Sequence, residues 1–191
     1  MTGSFFDIVS CQEIQERLQQ LAKYHPESYH HSLRVGQSMF ELSGLLQMDP
    51  ETPTRAGLLH DFGKLWVPLS VLDKDTKLTE EERIIMKDHT RLGAMALDTY
   101  DGTMAEVAGG HHEFQRGPYA RESPRNESEL IQLVALTDHS DALSQPRVYR
   151  NGGGYTFDES MKIIEGLFTG DPVLMRAFFD VAPHLPSANR C

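Results

Sequence analysis

The spacing of apolar residues along the chain predicts a helical protein. Near the N-terminus, apolar side chains three or four residues apart form one helical stripe, namely Ile14, Leu18 and Leu21. Ser10 and Glu13 have the spacing of a capping box and are predicted to open this helix. His25-Pro26 is predicted to end it and to start the next helix, because proline suits the first turn of a helix but not its interior.

The helical pattern continues to the C-terminus. Two further capping boxes, Thr79 with Glu82 and Thr156 with Glu159, mark helix starts. The predicted helices after the first are 26–46, 54–62, 79–97, 105–113, 128–143, 156–168 and 172–181. Residues 63–77 and 115–128 show no sustained period and are predicted to be irregular, the second as a mobile polar loop. Since no run of alternating hydrophobic residues is present, the sequence predicts one all-α domain over residues 1–191, a compact bundle of about seven to nine helices.

Composition and charge restrict the functions of such a bundle. Of the 191 residues, 39% are hydrophobic and 24% are charged, as in ordinary soluble domains. No signal peptide is recognisable, and no apolar run approaches the roughly 18 residues that span a bilayer. The only cysteines are Cys11 and Cys191, which argues against a disulfide framework and predicts a cytoplasmic location. The formal charge of −10 argues against duplex nucleic acid as a partner, but not against a small anion bound through metals.

Several histidines and carboxylates lie in contexts that are typical of metal ligands. In LLHDFGK (58–64), His60 and Asp61 point about 100° apart on a regular helix. They can converge on metals if the helix ends there, and Gly63 is a plausible terminator. Glu27 and His31 are four residues apart and therefore share one face of a helix.

Four more residues fit the same chemistry. His89 lies inside a predicted helix with Gly93 one turn later, where glycine permits close approach of another segment. His111 and His112 end the following helix, and Asp138 lies in an apolar helix, where a carboxylate is costly to bury unless it is paired or binds a metal. Each residue alone has an ordinary explanation as a cap, a surface ion pair or a core salt bridge. Their occurrence together on successive helical segments favours a metal centre.

These residues occur in the order found in a known family. The sequence resembles the HD superfamily of metal-dependent phosphohydrolases, and specifically its HD-GYP branch, the cyclic di-GMP phosphodiesterases. The resemblance rests on HHSLRV (30–35), on the long and specific block LLHDFGKLWVPLSVLDKDTKLTEEERIIMKDHTRLGAMAL (58–97), on HHE (111–113) and on ALTDHSDALSQPRVYR (135–150). It implies a helical domain with a metal-site core at about 24–150 and a helical C-terminal part at 155–182.

The resemblance also implies a site for two divalent metals, and for three in some members of the family. The implied ligands are His31, His60, Asp61, His89, His111, His112 and Asp138, with Glu27 at the position of a third-metal ligand. Asp61 would bridge two metals. Mixed imidazole and carboxylate ligation favours Fe or Mn, while Zn, Ni and Co remain open.

The implied reaction is hydrolysis of a phosphodiester by a metal-bridged hydroxide, with Asp61 and Lys64 as catalytic residues. Lys64 is also an implied phosphate contact. Arg147 and Arg150 are implied substrate contacts because a guanidinium group suits bidentate phosphate binding. Asp141 is counted with the substrate contacts, as an acceptor for Lys64 or for a ligand histidine. Ordinary ion pairs remain the alternative role for these side chains.

The sequence departs from the family pattern after HHE. Family members continue with an Asp-Gly-x-Gly-Tyr-Pro loop, whereas this chain has Arg116-Gly117 in place of Asp-Gly, followed by Pro118-Tyr119. The loop 114–128 is expected to fit the substrate and to contact a protein partner, so the change bears on specificity.

Three functions stay open at this point. In the first, the protein hydrolyses a small phosphorylated nucleotide, cyclic di-GMP. The second is hydrolysis of another nucleotide or phosphate ester by a reshaped pocket. The third is a catalytically weak module that holds metal and binds cyclic di-GMP or a protein. The complete set of implied ligands favours a hydrolase.

Overall fold

The chain forms a series of α-helices in a computed structural model that describes residues 3–117, 128–145 and 153–185. The helices are α1 (Phe5–Val9), α2 (Gln12–Tyr24), α3 (Pro26–Leu45), α4 (Glu51–Leu59), α5 (Leu69–Leu72), α6 (Glu80–Lys87), α7 (His89–Leu97), α8 (Gly102–Gly110), α9 (Glu129–Ser144), α10 (Phe157–Leu167) and α11 (Pro172–Val181), with 3-10 helices at Phe62–Trp66 and Ala182–His184. Within these ranges, the extended backbone pairs only in one isolated bridge, Gln115 with Phe168. The predicted all-α class is confirmed.

Helix α3 is the longest element and packs against α2, α4, α9 and α11. The buried apolar core contains side chains from Ile8 in α1 to Leu185 after the last 3-10 helix, with Phe114 and Phe178 among its largest fully buried members. None of the described helices is both long and apolar enough to cross a lipid bilayer.

Capping chemistry determines where several helices begin. The boxes predicted at Thr79 and Thr156 are present: each hydroxyl accepts a hydrogen bond from the amide three residues later, and each paired glutamate accepts one from the amide of the cap. Pro26 begins α3 and Pro172 begins α11, also as predicted. Helix α9 lies within a residue of its predicted limits. Local sequence signals therefore suffice to predict a helix start where a nearby side chain accepts from the amide groups of the first turn, or where proline removes one of these amide donors.

The capping box predicted at Ser10 is wrong. Ser10 instead ends the short helix α1, whose own capping box is formed by Ser4 and Asp7. Helix α2 begins after Cys11 without a side-chain cap. Ser10 is therefore used to end one helix rather than to begin the next.

Other predicted boundaries are wrong in ways that matter for the site. The helix expected at 79–97 breaks at Asp88, so His89 becomes the first residue of α7. The helix expected at 54–62 is α4, which begins and ends earlier, and part of the segment expected to be irregular forms a 3-10 helix and α5. The helix expected at 105–113 is α8, which is opened by Asp101 and ends before His111. These short and divided elements are why the helical segments outnumber the predicted seven to nine.

Two glycine pairs allow close contact between the segments that carry the candidate ligands. A Cβ atom on Gly57 of α4 would lie 3.0 Å from Cα of Gly36 in α3. A Cβ atom on Gly63 would lie 2.5 Å from the backbone nitrogen of Gly93 in α7, and closer still to the carbonyl of His89. The predicted close approach at Gly93 is confirmed. The sequence predicted that Gly63 terminates α4, and this is wrong, because α4 ends at Leu59. Gly63 instead lies in the following 3-10 helix and lets it contact α7.

We predict that Gly63→Ala destabilises the protein by about 1–3 kcal/mol or more, because the added methyl group would overlap the backbone of α7. The matched control is Gly166→Ala, at an exposed position in α10 where nothing lies within 4 Å of the added atom. This control should be neutral or stabilising by up to about 1 kcal/mol, since alanine is the better helix former. Urea unfolding of both variants measures the difference, and equal stability would contradict the role of the Gly63–Gly93 contact.

Candidate metal centre

Asp61 lies at the centre of a cluster of imidazoles, in the turn between α4 and the first 3-10 helix, and is only 2% exposed. Its Oδ1 atom lies 3.3 Å from Nε2 of His89 and 3.9 Å from Nε2 of His111. Its Oδ2 atom lies 3.4 Å from Nε2 of His60 and 3.5 Å from Nε2 of His31. Each oxygen of this carboxylate therefore faces a different pair of histidines.

One group of ligand atoms is formed by His31, His60 and Asp138, all buried, with their atoms within 4.8 Å of one another. Oδ1 of Asp138 lies 2.9 Å from Nε2 of His31 and 3.7 Å from Nε2 of His60. Helices α3 and α9 and the end of α4 supply these side chains, which are far apart in sequence.

A second group is formed by His89, His111 and His112, whose ligand atoms also lie within 4.8 Å of one another. The Nε2 atoms of His89 and His111 are 3.3 Å apart. His89 comes from the start of α7, where the break at Asp88 places it, and the other two follow the end of α8. The structure thus brings together seven of the eight sequence-predicted metal ligands: six in these two groups, and Asp61 between them.

Backbone carbonyls orient three of these imidazoles. In each ring the Nδ1 atom contacts a carbonyl oxygen of the preceding turn: His60 with Gly57 at 2.8 Å, His89 with Met86 at 2.6 Å and His111 with Ala108 at 3.0 Å. Because a carbonyl can only accept, Nδ1 carries the proton, and Nε2 keeps its lone pair in the neutral ring.

The donor set fits divalent metal ions. Nε2 of His60 is buried and has no hydrogen-bond partner among the described residues. Leaving such an atom without a partner is costly, and a metal would satisfy it. Histidines that bind metals commonly donate their other ring N–H to a carbonyl or carboxylate, as His60 does here. We therefore conclude that the residues present suit two metal ions that share Asp61.

Both buried acids in the cluster are held ionised. Burial would raise the pKa of Asp61, but Lys64 and His60 outweigh it and hold this pKa well below the ordinary range. For Asp138, the hydrogen bond from His31 and the nearby charge of His60 likewise outweigh burial and lower the pKa well below its ordinary value. The two carboxylates therefore offer negative charge to a cation at neutral pH.

The histidines divide into two classes by charge. Burial, aided by neighbouring imidazoles, lowers the pKa of His111 to about 3 and holds the pKa of His112 well below its ordinary value. These rings are neutral, which is the form that binds metal. For His60, burial also disfavours the charged form, but Asp61 and Asp138 outweigh it and raise the pKa to about 10. A metal bound on this side would take the place of that proton.

Asp141 lies behind the metal ligands rather than in the cavity. It is 1% exposed, and its Oδ2 atom lies 2.8 Å from Nδ1 of His31. Its Oδ1 atom accepts a hydrogen bond from Nε of Arg34 at 2.9 Å. Both oxygens are therefore engaged, and Asp141 does not line the cavity that opens onto the ligands. Of its two expected roles, the geometry suits the acceptor for a ligand histidine and not the substrate contact.

Arg34 is a residue that sequence reasoning missed. It is three residues beyond His31 on α3, so helical spacing places both on one face and could have indicated it. Arg34 also contacts Glu27 at 3.5 Å. The Glu27 side chain is 62% exposed and belongs to neither group of ligand atoms, although it lines the cavity. Its place as a third-metal ligand stays a prediction.

The predicted phosphate contacts are only partly described. Lys64 lines the cavity, and its ammonium group donates a hydrogen bond to Asp61. Arg147 and Arg150 lie outside the described residues, as do Pro118 and Tyr119 and the rest of the loop up to residue 127.

Gln115 is a second residue that sequence reasoning missed. Its buried side-chain amide forms a 2.6 Å hydrogen bond with Nδ1 of His112. Its backbone pairs with Phe168, and flanking hydrogen bonds join Arg116 to Leu167 and Thr169 to the carbonyl of Phe114. The segment after α10 therefore holds Gln115, which in turn contacts a candidate metal ligand. The hydrogen bond joins residues only three apart, whereas the bridge that holds Gln115 joins segments distant in sequence, which no local pattern signals.

A cavity of about 520 Å³ opens onto the ligand cluster. This volume is in the range of sites for small organic ligands. One part of its lining is apolar and comes from α9 and α10, with Ala142, Leu143, Ile164 and Leu167. The cavity therefore combines an ionic end at Asp61 and Asp138 with an apolar wall.

Comparison with known proteins adds a family context to this geometry. The family model described as HD domain matches residues 28–144. A cyclic di-GMP phosphodiesterase of Vibrio cholerae is 38% identical over 138 residues, which are 64% of this chain and 27% of that protein. A cyclic di-GMP phosphodiesterase of Thermotoga maritima is 34% identical over 169 residues, which are 81% of this chain and 44% of that protein. The chain thus spans less than half the length of these relatives.

A solved structure supports the fold. The HD domain of the L. monocytogenes phosphodiesterase PgpH, in complex with cyclic-di-AMP, matches with a TM-score of 0.64. The match covers 91% of this chain and 86% of that one at 18% sequence identity. At this identity the likeness shows a common fold.

We predict that Gln115→Leu weakens metal binding by about 10- to 100-fold, because His112 loses the hydrogen bond that orients it. Chelator competition with Mn(II) measures the affinity, and Gln115→Glu, which places a hydrogen-bond acceptor beside Nδ1 in place of the amide nitrogen, should retain more of it because Nε2 then keeps its lone pair. Thermal unfolding of the metal-free proteins separates this effect from general destabilisation. Unchanged affinity in a folded Gln115→Leu protein would contradict the positioning role.

Proposed function

The chain belongs to the HD domain family, and we propose that it is a metal-dependent phosphodiesterase that hydrolyses a cyclic dinucleotide, in the first place cyclic di-GMP. The observation that carries the proposal is the position of Asp61, whose two oxygens face two separate groups of ligand atoms. A shared carboxylate between two nitrogen-rich groups suits a pair of divalent metals. The activity named for the relatives from V. cholerae and T. maritima supports the substrate.

Seven side chains would hold the two metals, namely His31, His60, Asp61, His89, His111, His112 and Asp138. Bound there, divalent metals would supply a hydroxide at neutral pH and neutralise the phosphoryl oxygens as charge develops. We propose Fe or Mn, since mixed imidazole and carboxylate ligation suits both. The reducing cytoplasm expected from the cysteine content would keep iron in its ferrous form.

The remaining roles belong to side chains of this protein. Asp61 stays ionised, so it can serve both groups of ligands without first losing a proton. Lys64 lies at the cavity end of the cluster, where its ammonium group can donate to a non-bridging phosphate oxygen while it neutralises Asp61. Arg34 and Asp141 fix the ring of His31 through a chain of hydrogen bonds. These contacts hold the ligands in place before substrate enters.

The cavity suits a nucleotide that carries flat bases as well as phosphate. Leu143, Ile164 and Leu167 offer an apolar wall against which a purine can stack, and Gln145 and Thr76 add polar groups to the lining. We also keep the proposal that the loop 114–128 contacts a protein partner, and that Arg147 and Arg150 bind substrate phosphate.

Two alternative functions would use the same candidate metal site. Arg116, where family members carry aspartate, favours a reshaped pocket for another nucleotide or phosphate ester as the second candidate. A metal-holding module that binds cyclic di-GMP without turnover is the third.

We predict that the protein reconstituted anaerobically with Fe(II) or Mn(II) hydrolyses bis(p-nitrophenyl) phosphate and cyclic di-GMP. Asp61→Ala should lose both the metals and at least about 1,000-fold in turnover, because the shared carboxylate ligates both ions. Metal content is measured by elemental analysis and turnover by chromatography of the products. The matched control is Asp98→Ala, an exposed aspartate outside the cavity, which should keep both properties.

The same assay separates the alternatives. Turnover of mononucleotides but not of cyclic di-GMP would reject cyclic di-GMP as the substrate and favour the second candidate. Full metal occupancy without turnover of any phosphodiester would reject the enzyme and favour the binding module.

A further inference from the structure

Cationic side chains line the cavity more densely than the charge of the whole chain suggests. Among the described residues these are Arg34, Lys64, Lys74, Lys77, Arg83 and Arg116. Four of them are paired with carboxylates: Arg34 with Asp141, Lys64 with Asp61, Lys74 with Glu82 and Arg83 with Glu80. The carboxylates of the protein therefore largely neutralise the positive charge of these four side chains.

Lys77 and Arg116 differ from this group. Both are exposed while lining the cavity, so they lie at its mouth rather than beside the buried ligands. Neither forms an ion pair with another residue in the described ranges. These two side chains therefore carry the positive charge that the cavity can offer to an incoming anion.

The backbone fixes the origin of the Arg116 side chain. Its amide donates to the carbonyl of Leu167 at 2.8 Å, next to the bridge between Gln115 and Phe168. Arg116 thus starts from a position anchored to the segment after α10, one residue beyond the side chain that orients His112. A guanidinium group held in this way loses less freedom when it binds than one on an unanchored chain.

We propose that Arg116 and Lys77 bind the second phosphate of a dinucleotide whose first phosphate lies at the metal ligands. This inference rests on the proposed function and names the substrate feature that the site selects. The metals and Lys64 would neutralise the phosphate under attack, and no other described lining cation is free of a carboxylate to meet the second. A guanidinium fork suits phosphate oxygens, and Lys77 adds a point charge.

This arrangement favours substrates with two phosphates over esters with one. A remote ionic contact acts equally on bound substrate and transition state, so its loss raises KM and leaves kcat nearly unchanged. The aspartate that family members carry at position 116 would repel the same phosphate. Arginine at this position therefore attracts the phosphate where aspartate would repel it. The second phosphate can belong either to a cyclic dinucleotide or to a 5′-phosphorylated linear one, since both present the same anionic group.

The test compares kcat and KM of Arg116→Asp, Lys77→Gln and the double variant on three substrates: cyclic di-GMP, its 5′-phosphorylated linear form and bis(p-nitrophenyl) phosphate. We expect kcat/KM on the dinucleotides to fall, relative to the aryl ester, by about fivefold for each single change and about 20-fold for the double variant, through KM. A larger fall on the linear form would identify its terminal phosphate as the group bound. Lys162→Gln, an exposed control on α10 outside the cavity, should change nothing.

An equal fall on the aryl ester, or changes within twofold of the control, would overturn the inference. If the wild-type protein hydrolyses the aryl ester but neither dinucleotide, the variants are compared by their calorimetric affinity for cyclic di-GMP. Absence of binding by the wild-type protein would also overturn the inference. Failure of the metal-loaded protein to hydrolyse any of the three substrates contradicts the proposed function instead.

Discussion

The burial of Asp61 is the constraint on which the site depends. A carboxylate that is 2% exposed is stable only where cations or metals compensate its charge, and Lys64 and four imidazole rings surround it here. The helices must therefore approach one another closely enough to bring these groups to one point. Gly63 and Gly93 permit that approach, because a methyl group at Gly63 would overlap α7 and push His89 away.

The ligands are held by groups that do not themselves face the cavity. Asp141 joins Arg34 to His31, and the carbonyls of preceding turns hold other rings, so hydrogen bonds within the protein orient these imidazoles. Gln115 does the same for His112, and its backbone bridge makes the C-terminal helices part of the support. The segment that shapes the mouth of the cavity and the segment that orients a ligand are therefore one and the same.

Local patterns predict the parts of this structure that depend on local chemistry. The box at Thr156 forms as expected because its donors and acceptors lie within four residues. The order of histidines and aspartates indicated the candidate ligands, and the geometry groups seven of them. The break at Asp88, by contrast, could not be predicted from periodicity, since residues on both sides continue the apolar pattern. The hydrogen bond of Arg34 to Asp141 and the backbone bridge of Gln115 to Phe168 join residues distant in sequence, which local patterns do not reveal.

Anomalous diffraction from crystals of the Mn(II)-loaded protein would locate the metals that we propose Asp61 to share. We expect two anomalous peaks, one contacting His31, His60 and Asp138 and the other contacting His89, His111 and His112, with one oxygen of Asp61 bound to each. A single peak, or two peaks that do not both contact Asp61, would contradict this proposal.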